Sequence, residues 1–158
     1  MGSCFPRSHA ELSTTAIPRM IRVVMFLAVH QDMPIRSYPD LEAWQLGMDF
    51  VLNVYEVTKR LPAEERYGLT AQLRRAAVSV PSNVSEGHQL GGKSYGRSVS
   101  VALGSLAEAN TQTEIALRLK YIDDETFAAM TRKSARLRQV LHGLRRALTL
   151  REHRTTER

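Results

Sequence analysis

At 158 residues, 43% of them hydrophobic, the chain is long enough to bury one core and short for two domains. Its single cysteine, Cys4, excludes an intrachain disulfide and a four-thiolate zinc site, which fits a reducing, cytoplasmic setting. The net charge of +6 is unevenly spread: residues 1–38 carry +2, residues 39–130 carry −3, and residues 131–158, with nine basic and two acidic groups, carry +7.

Residues 1–37 form a leader with prolines at 6, 18 and 34 and no helical period. Loose order is expected there, and Met33 is a candidate natural start, because periodic sequence begins soon after it. The apolar stretch Ile21 to Val29 (IRVVMFLAV) is nine residues long, too few to cross a hydrocarbon layer of about 30 Å as a helix. No small-residue cleavage site follows it, so neither a membrane span nor a secretory signal is expected.

From Tyr38 the pattern is helical. Leu41, Trp44, Met48, Val51, Leu52 and Tyr55 recur at three and four, predicting a first helix from about Asp40, its N-cap, to about Leu61 before Pro62. After the turn AEERYG a second helix begins near Leu69, with Leu73, Ala76, Ala77, Val80 and Val84 on one narrow arc that marks its core face. Arg75, Ser79, Ser82, Asn83 and Glu86 share the opposite arc. Pro81 lacks an N–H and crowds the Ala77 carbonyl, so a kink is expected at the flank of the core arc. The hydroxyls of Ser79, Ser82 and Ser85 are candidates to meet the freed carbonyl. Gly87 reads as the terminator, with GHQLGGKS as the loop. Glu86 then lies in the last turn against the helix dipole and needs a cation from another helix or subunit, with Arg74 or Arg75 of a neighbouring chain as the candidates.

The third helix is predicted from about Ser94 to about Lys120. One stripe carries Val99, Leu103, Leu106, Asn110, Thr113 and Leu117; a second carries Val101, Gln112, Ile115 and Leu119, so the helix is expected to be covered on two sides. Gly104, in a run of small residues, costs about 1 kcal/mol against alanine, and close approach of another helix would offset that. The fourth helix starts near Asp123, whose neighbouring acids suit an N-terminus, and turns Phe127, Met130, Leu137, Val140, Leu141, Leu144 and Leu148 inward. The expected fold is all-α: an antiparallel up-down-up-down four-helix bundle over residues 38–149, followed by a basic tail at 150–158.

Candidate chemistry is sparse. The five histidines never pair at i,i+3 or i,i+4, so no metal site is expected, and no cofactor motif occurs. Gly91-Gly92-Lys93-Ser94 lacks the first glycine of a phosphate loop and lies between helices. The chain is therefore expected not to be an enzyme. Arg132, Lys133, Arg136, Arg138, Arg145 and Arg146 are the candidate nucleic-acid contacts, through phosphates rather than bases, since no aromatic ring accompanies them. Arg74, Arg75, Ser79, Pro81, Asn83, Glu86 and Gly104 are the candidates for structural or subunit contacts.

The runs DLEAWQLGMDFV, LPAEERYGLTAQLRRAAVSVPSNVSEG and SYGRSVSVALGSLAEANTQTEIALRLKYI closely resemble the four-helix-bundle family of 23S ribosomal RNA intervening-sequence proteins. That family is similar to the accessory variability determinant of diversity-generating retroelements. The resemblance spans roughly Tyr38 to Leu148, and its most specific part is the second helix with Gln72, Arg74, Arg75, Ala76, Ser79, Pro81, Asn83, Glu86 and Gly87. It implies a homo-oligomer, with a five-fold ring favoured, a basic surface that engages RNA or DNA, a protein partner such as a reverse transcriptase, and no enzyme activity or membrane association. Where relatives often read E-L-E-T, this chain has Glu108-Ala109-Asn110-Thr111.

Overall fold

A computed structural model describes residues 37–156; the leader and its apolar stretch lie outside the described residues apart from Ser37. Four α-helices follow one another: α1, Glu42–Thr58; α2, Leu69–Leu90; α3, Gly92–Arg118; and α4, Asp124–Thr156. Short 3-10 turns at Tyr38–Asp40 and Ala63–Arg66 precede α1 and α2, and no strand occurs among the described residues. Each helix packs on its neighbours in sequence, α4 closes back on α1, and the diagonal pairs do not come close. The result is a four-helix bundle, as the periodicity implies.

Apolar periodicity fills the interior. Phe50, Val54, Leu73, Val80, Val84, Val99, Leu106, Leu137 and Leu141 are all essentially inaccessible to solvent. A smaller cluster of Leu61, Ala116 and Ile122 closes the end where α3 turns into α4. Asp123 caps α4: its Oδ1 accepts the Thr126 N–H at 2.8 Å, and hydrogen bonding by Thr126, its side chain first and its backbone N–H second, holds the Asp123 carboxyl below its usual range. Whatever the cap contributes is complete above the unfolded carboxyl's pKa and is lost as pH falls through the lower folded value.

The inward face of α1 differs from the one its sequence suggests. Ala43, Gly47, Phe50, Val51, Val54 and Thr58 are buried, whereas Leu52 and Tyr55 face out. This helix is apolar over more than half its circumference, so periodicity alone selects too wide an arc. Close packing decides the rotation: a Cβ added at Gly47 would lie 3.2 Å from the Pro81 Cβ, so the smallest side of α1 is turned to α2. Asp40 is not the N-cap either. Its carboxylate accepts the Ser37 N–H at 3.1 Å within the preceding 3-10 turn, and Leu41 occupies the cap position.

The core arc of α2 is buried as expected, but Pro81 is buried with it instead of lying at its flank. The serine hydroxyls do not meet the Ala77 carbonyl: Ser82 donates to Val78 O at 2.8 Å and Ser85 to Ser82 O at 2.9 Å. Nor does the helix stop at Gly87. It runs on to Leu90 and ends at Gly91, whose φ of 66° and ψ of −170° belong to a region only glycine occupies freely. Glu86 is exposed and precedes the last turn, where the dipole acts most strongly, so it needs no cation on that account. The GHQLGGKS segment contributes a single non-helical residue, because α3 begins at Gly92.

Gly87 has another role. A Cβ there would sit 2.6 Å from Tyr95 Cδ2 and 2.8 Å from Ser98 Cβ, so its hydrogen lets α3 fold back against α2. Gly104 is the converse, exposed, with nothing within 4 Å of an added Cβ, so no described helix approaches it. On α3 the first stripe is buried at Val99, Leu106 and Thr113, and Gln112 of the second is also buried. Val101, Ile115 and Leu119 remain 48%, 41% and 50% exposed, leaving that face without cover among the described residues. Replacing Gly87 by alanine should destabilise the bundle by about 1–3 kcal/mol, because neither neighbour is the loose end of a flexible side chain. Replacing Gly104 by alanine should leave the bundle unchanged or stabilise it by up to about 1 kcal/mol. Urea unfolding of the two variants, followed by far-UV circular dichroism, checks both.

Candidate nucleic-acid interface

At about 100° per residue, the basic residues of α4 do not form one stripe. Lys133 and Arg136 are turned to α1. Arg136 Nη2 donates to Glu42 Oε1 at 2.7 Å, and Lys133 donates its ammonium to Asn53 Oδ1. Both sides of the Arg136–Glu42 pair are about half exposed, at 54% and 56%, so it contributes no more than about 1 kcal/mol. Lys133 and Arg136 thus help hold α4 on α1. Arg138 and Arg145 project from the flank away from α1, and Arg146 points outward; all three are exposed. His142 Nδ1 lies 3.5 Å from Arg145 Nη2, and no carboxylate pairs with Arg138, Arg145 or Arg146 among the described residues. Arg132 is exposed beside a groove on the α1 side, shared with Lys133 and Arg136.

The second group of candidates separates into two environments. Ser79 and Asn83, expected on the outward arc, face α3. The hydroxyls of Ser79 and Ser105 lie 2.8 Å apart, and the Asn83 amide donates to Ser79 O at 2.8 Å and to Ser79 Oγ at 3.0 Å. This is a polar seam inside one chain. Arg74 is committed as well: its Nε donates to Thr58 Oγ1 at 2.8 Å and its guanidinium lies 4.7 Å from the centroid of the Tyr55 ring. It is therefore no spare cation for Glu86, whereas Arg75 and Glu86 are both exposed. A helix-to-helix hydrogen bond through Arg74 was not legible in the sequence, because Thr58 and Tyr55 lie on a different element.

Glu65 is a further residue that sequence reasoning missed. It accepts the Leu69 N–H at 2.8 Å, capping α2, while its other oxygen accepts the Tyr121 hydroxyl at 3.4 Å. Burial and this carboxylate raise the Tyr121 pKa. Among the described residues no cluster of three His, Cys, Asp or Glu side chains could hold a metal, and no helix is long and apolar enough to cross a membrane.

Residues 39–143 match the family model described as 23S rRNA-intervening sequence protein. The chain belongs to that family. The matched span nearly coincides with the bundle and takes in Arg132, Lys133, Arg136 and Arg138, while Arg145 and Arg146 lie just beyond it. A crystal structure of a protein with unknown function from the S23 ribosomal protein family, from Bacteroides thetaiotaomicron, is similar in fold. The TM-score is 0.61 at 19% identity, over 66% of this chain and 95% of that one. At that identity the likeness bears on fold alone. No curated protein matches the chain.

Arg74 and Arg75 give a direct contrast within this member of the 23S rRNA-intervening sequence family. Arg74→Ala removes a hydrogen bond and a ring contact and should cost about 1–2 kcal/mol. Arg75→Ala should stay within about 0.5 kcal/mol of the parent. Equal losses for the two, in equilibrium unfolding, would contradict this division.

Proposed function

We propose that the chain is a non-enzymatic accessory protein that contacts the phosphate backbone of nucleic acid through the distal half of α4. The observation that carries this reading is the set Arg138, Arg145 and Arg146, exposed and without carboxylate partners among the described residues, within a segment of net charge +7. Family membership supports it through the name alone, which associates these proteins with a ribosomal RNA insertion. The likeness to the accessory variability determinant of retroelements, and with it a reverse transcriptase as partner, belongs to this proposal too. Lys133 and Arg136 are secondary contributors, since each already bonds to α1.

Self-association is part of the same reading, with a pentamer favoured by the resemblance. Its support is the uncovered side of α3, where Val101, Ile115 and Leu119 are exposed and Gly104 leaves room for a close neighbour. The alternative is an oligomeric scaffold that never touches nucleic acid, favoured by that same apolar face.

Salt dependence separates the two. For a single-stranded RNA of about 30 nucleotides, the slope of log K against log salt should flatten by about 0.7 for each phosphate contact removed. Arg138→Ala, Arg145→Ala and Arg146→Ala together should therefore lower the slope by about 2 and weaken binding at low salt, with the melting temperature unchanged. RNA binding that is absent from the parent, or indifferent to the triple change, would leave the scaffold reading. For assembly, light scattering should give an oligomer for the parent and a smaller species after Val101→Gln, Ile115→Gln and Leu119→Gln; a monomeric parent at micromolar concentration would remove self-association from the proposal.

A further inference from the structure

A groove of about 450 Å³ runs between α1 and α4, on the side of α4 away from Arg138 and Arg145. Its floor is aliphatic and aromatic, from Leu46, Phe50 and Leu52 of α1, and its α4 wall is cationic, from Arg132, Lys133 and Arg136. Leu52 is 61% exposed although it stands in the middle of a well-packed helix, so this part of the floor finds no cover within the described bundle. The cations are unequal. Arg136 is neutralised by Glu42, Lys133 keeps its full charge because Asn53 is neutral, and Arg132 bonds to nothing among the described residues.

We infer that this groove docks an acidic, amphipathic helical segment of a partner protein, with aliphatic side chains on Leu46 and Leu52 and carboxylates on Arg132 and Lys133. Charge complementarity and the shape of the floor choose this occupant. A phosphate backbone would meet the same cations, but it gains nothing from leucine, cannot stack a base on Phe50, which is only 1% exposed, and is repelled by Asp49, which also lines the groove. A peptide profits from both halves. Its apolar face covers Leu52, its carboxylates pair with two cations that lack one, and Asp49 is left to a peptide amine or a lysine at the edge. A basic segment would face three cations across one aliphatic strip. The inference does not rest on the nucleic-acid reading, since it uses a different flank of α4 and none of Arg138, Arg145 and Arg146; Lys133 and Arg136 enter that reading only as secondary contributors.

The test is selection of a random 16-residue peptide library displayed on phage against the full-length protein, followed by fluorescence anisotropy of labelled synthetic peptides. Enriched sequences should place leucine-like residues three and four apart with aspartate or glutamate beside them. Their Kd should rise at least about tenfold for Leu52→Ser and for Arg132→Glu, two exposed positions whose changes should leave the circular dichroism melt unaltered. Arg146→Glu, on the outward side, should leave peptide affinity unchanged. Three results would overturn the inference: no enrichment over the Leu52→Ser protein used as bait, enrichment of basic sequences, or acidic peptides that bind the Leu52→Ser and Arg132→Glu proteins as well as the parent. A single-stranded RNA whose binding is lost with Leu52→Ser and Arg132→Glu but kept without Arg138, Arg145 and Arg146 would assign the groove to nucleic acid instead. It would overturn both this inference and the placement of the phosphate contacts, whereas loss of RNA binding in the triple variant alone touches neither groove nor peptide.

Discussion

The close approach of α2 to α3 is the constraint on which the other helix positions depend. With no side chain at Gly87, the Tyr95 ring and the Ser98 side chain can lie where a methyl group would be, and Gly91 reverses the chain in one residue through a conformation closed to other amino acids. Every later contact along the seam follows from that start. Ser79 reaches Ser105, Asn83 locks Ser79 in place, and the small side chains of Ala76, Ala102 and Ala109 stay buried between the large ones. With this pair fixed, Pro81 is presented to α1, and Gly47 is the residue that can lie against it.

The two halves of α4 illustrate how one run of like charge divides by context. Near its start, the helix lies beside α1, and its cations find Glu42 and Asn53. Towards its end no carboxylate is within reach of Arg145 or Arg146 among the described residues, and the same residue type is left to solvent. Charge counted by segment is therefore a poor guide to which arginine is available. What matters is whether the neighbouring helix presents an acceptor at the matching height.

Much of the bundle was legible in the sequence, and the reasons differ by helix. In α2 the core arc is narrow and its far side mostly polar, so Leu73, Ala77, Val80 and Val84 identified the buried face. In α4 the inward residues Met130, Leu137 and Leu141 were equally clear. For α1 the apolar residues surround too much of the axis, and the rotation was set by a glycine meeting a proline two elements of sequence away, which periodicity does not encode. The end of α2 was hidden because a glycine had two roles available: Gly87 suits a terminator, but steric need across the seam placed it inside the last turn and left termination to Gly91. The candidate site was legible as composition and not as geometry. Arg138, Arg145 and Arg146 have no carboxylate partner among the described residues, while Arg74, Ser79, Asn83 and Arg136 proved to be spoken for by partners that only folding brings near.

The single-residue link at Gly91 also bears on the order in which the bundle forms. Closing a loop costs more entropy the longer it is, and here two helices of 22 and 27 residues are joined by almost none. Contacts near the joint, such as His88 beside Tyr95, are separated by only a few positions along the chain. The α2–α3 hairpin can thus nucleate by itself as a local event, giving α1 and α4 a preformed trough to condense into from either side. Folding of this kind is fast and depends little on the termini, so insertions or variation before α1 and after α4 need not slow the chain's arrival at its native state.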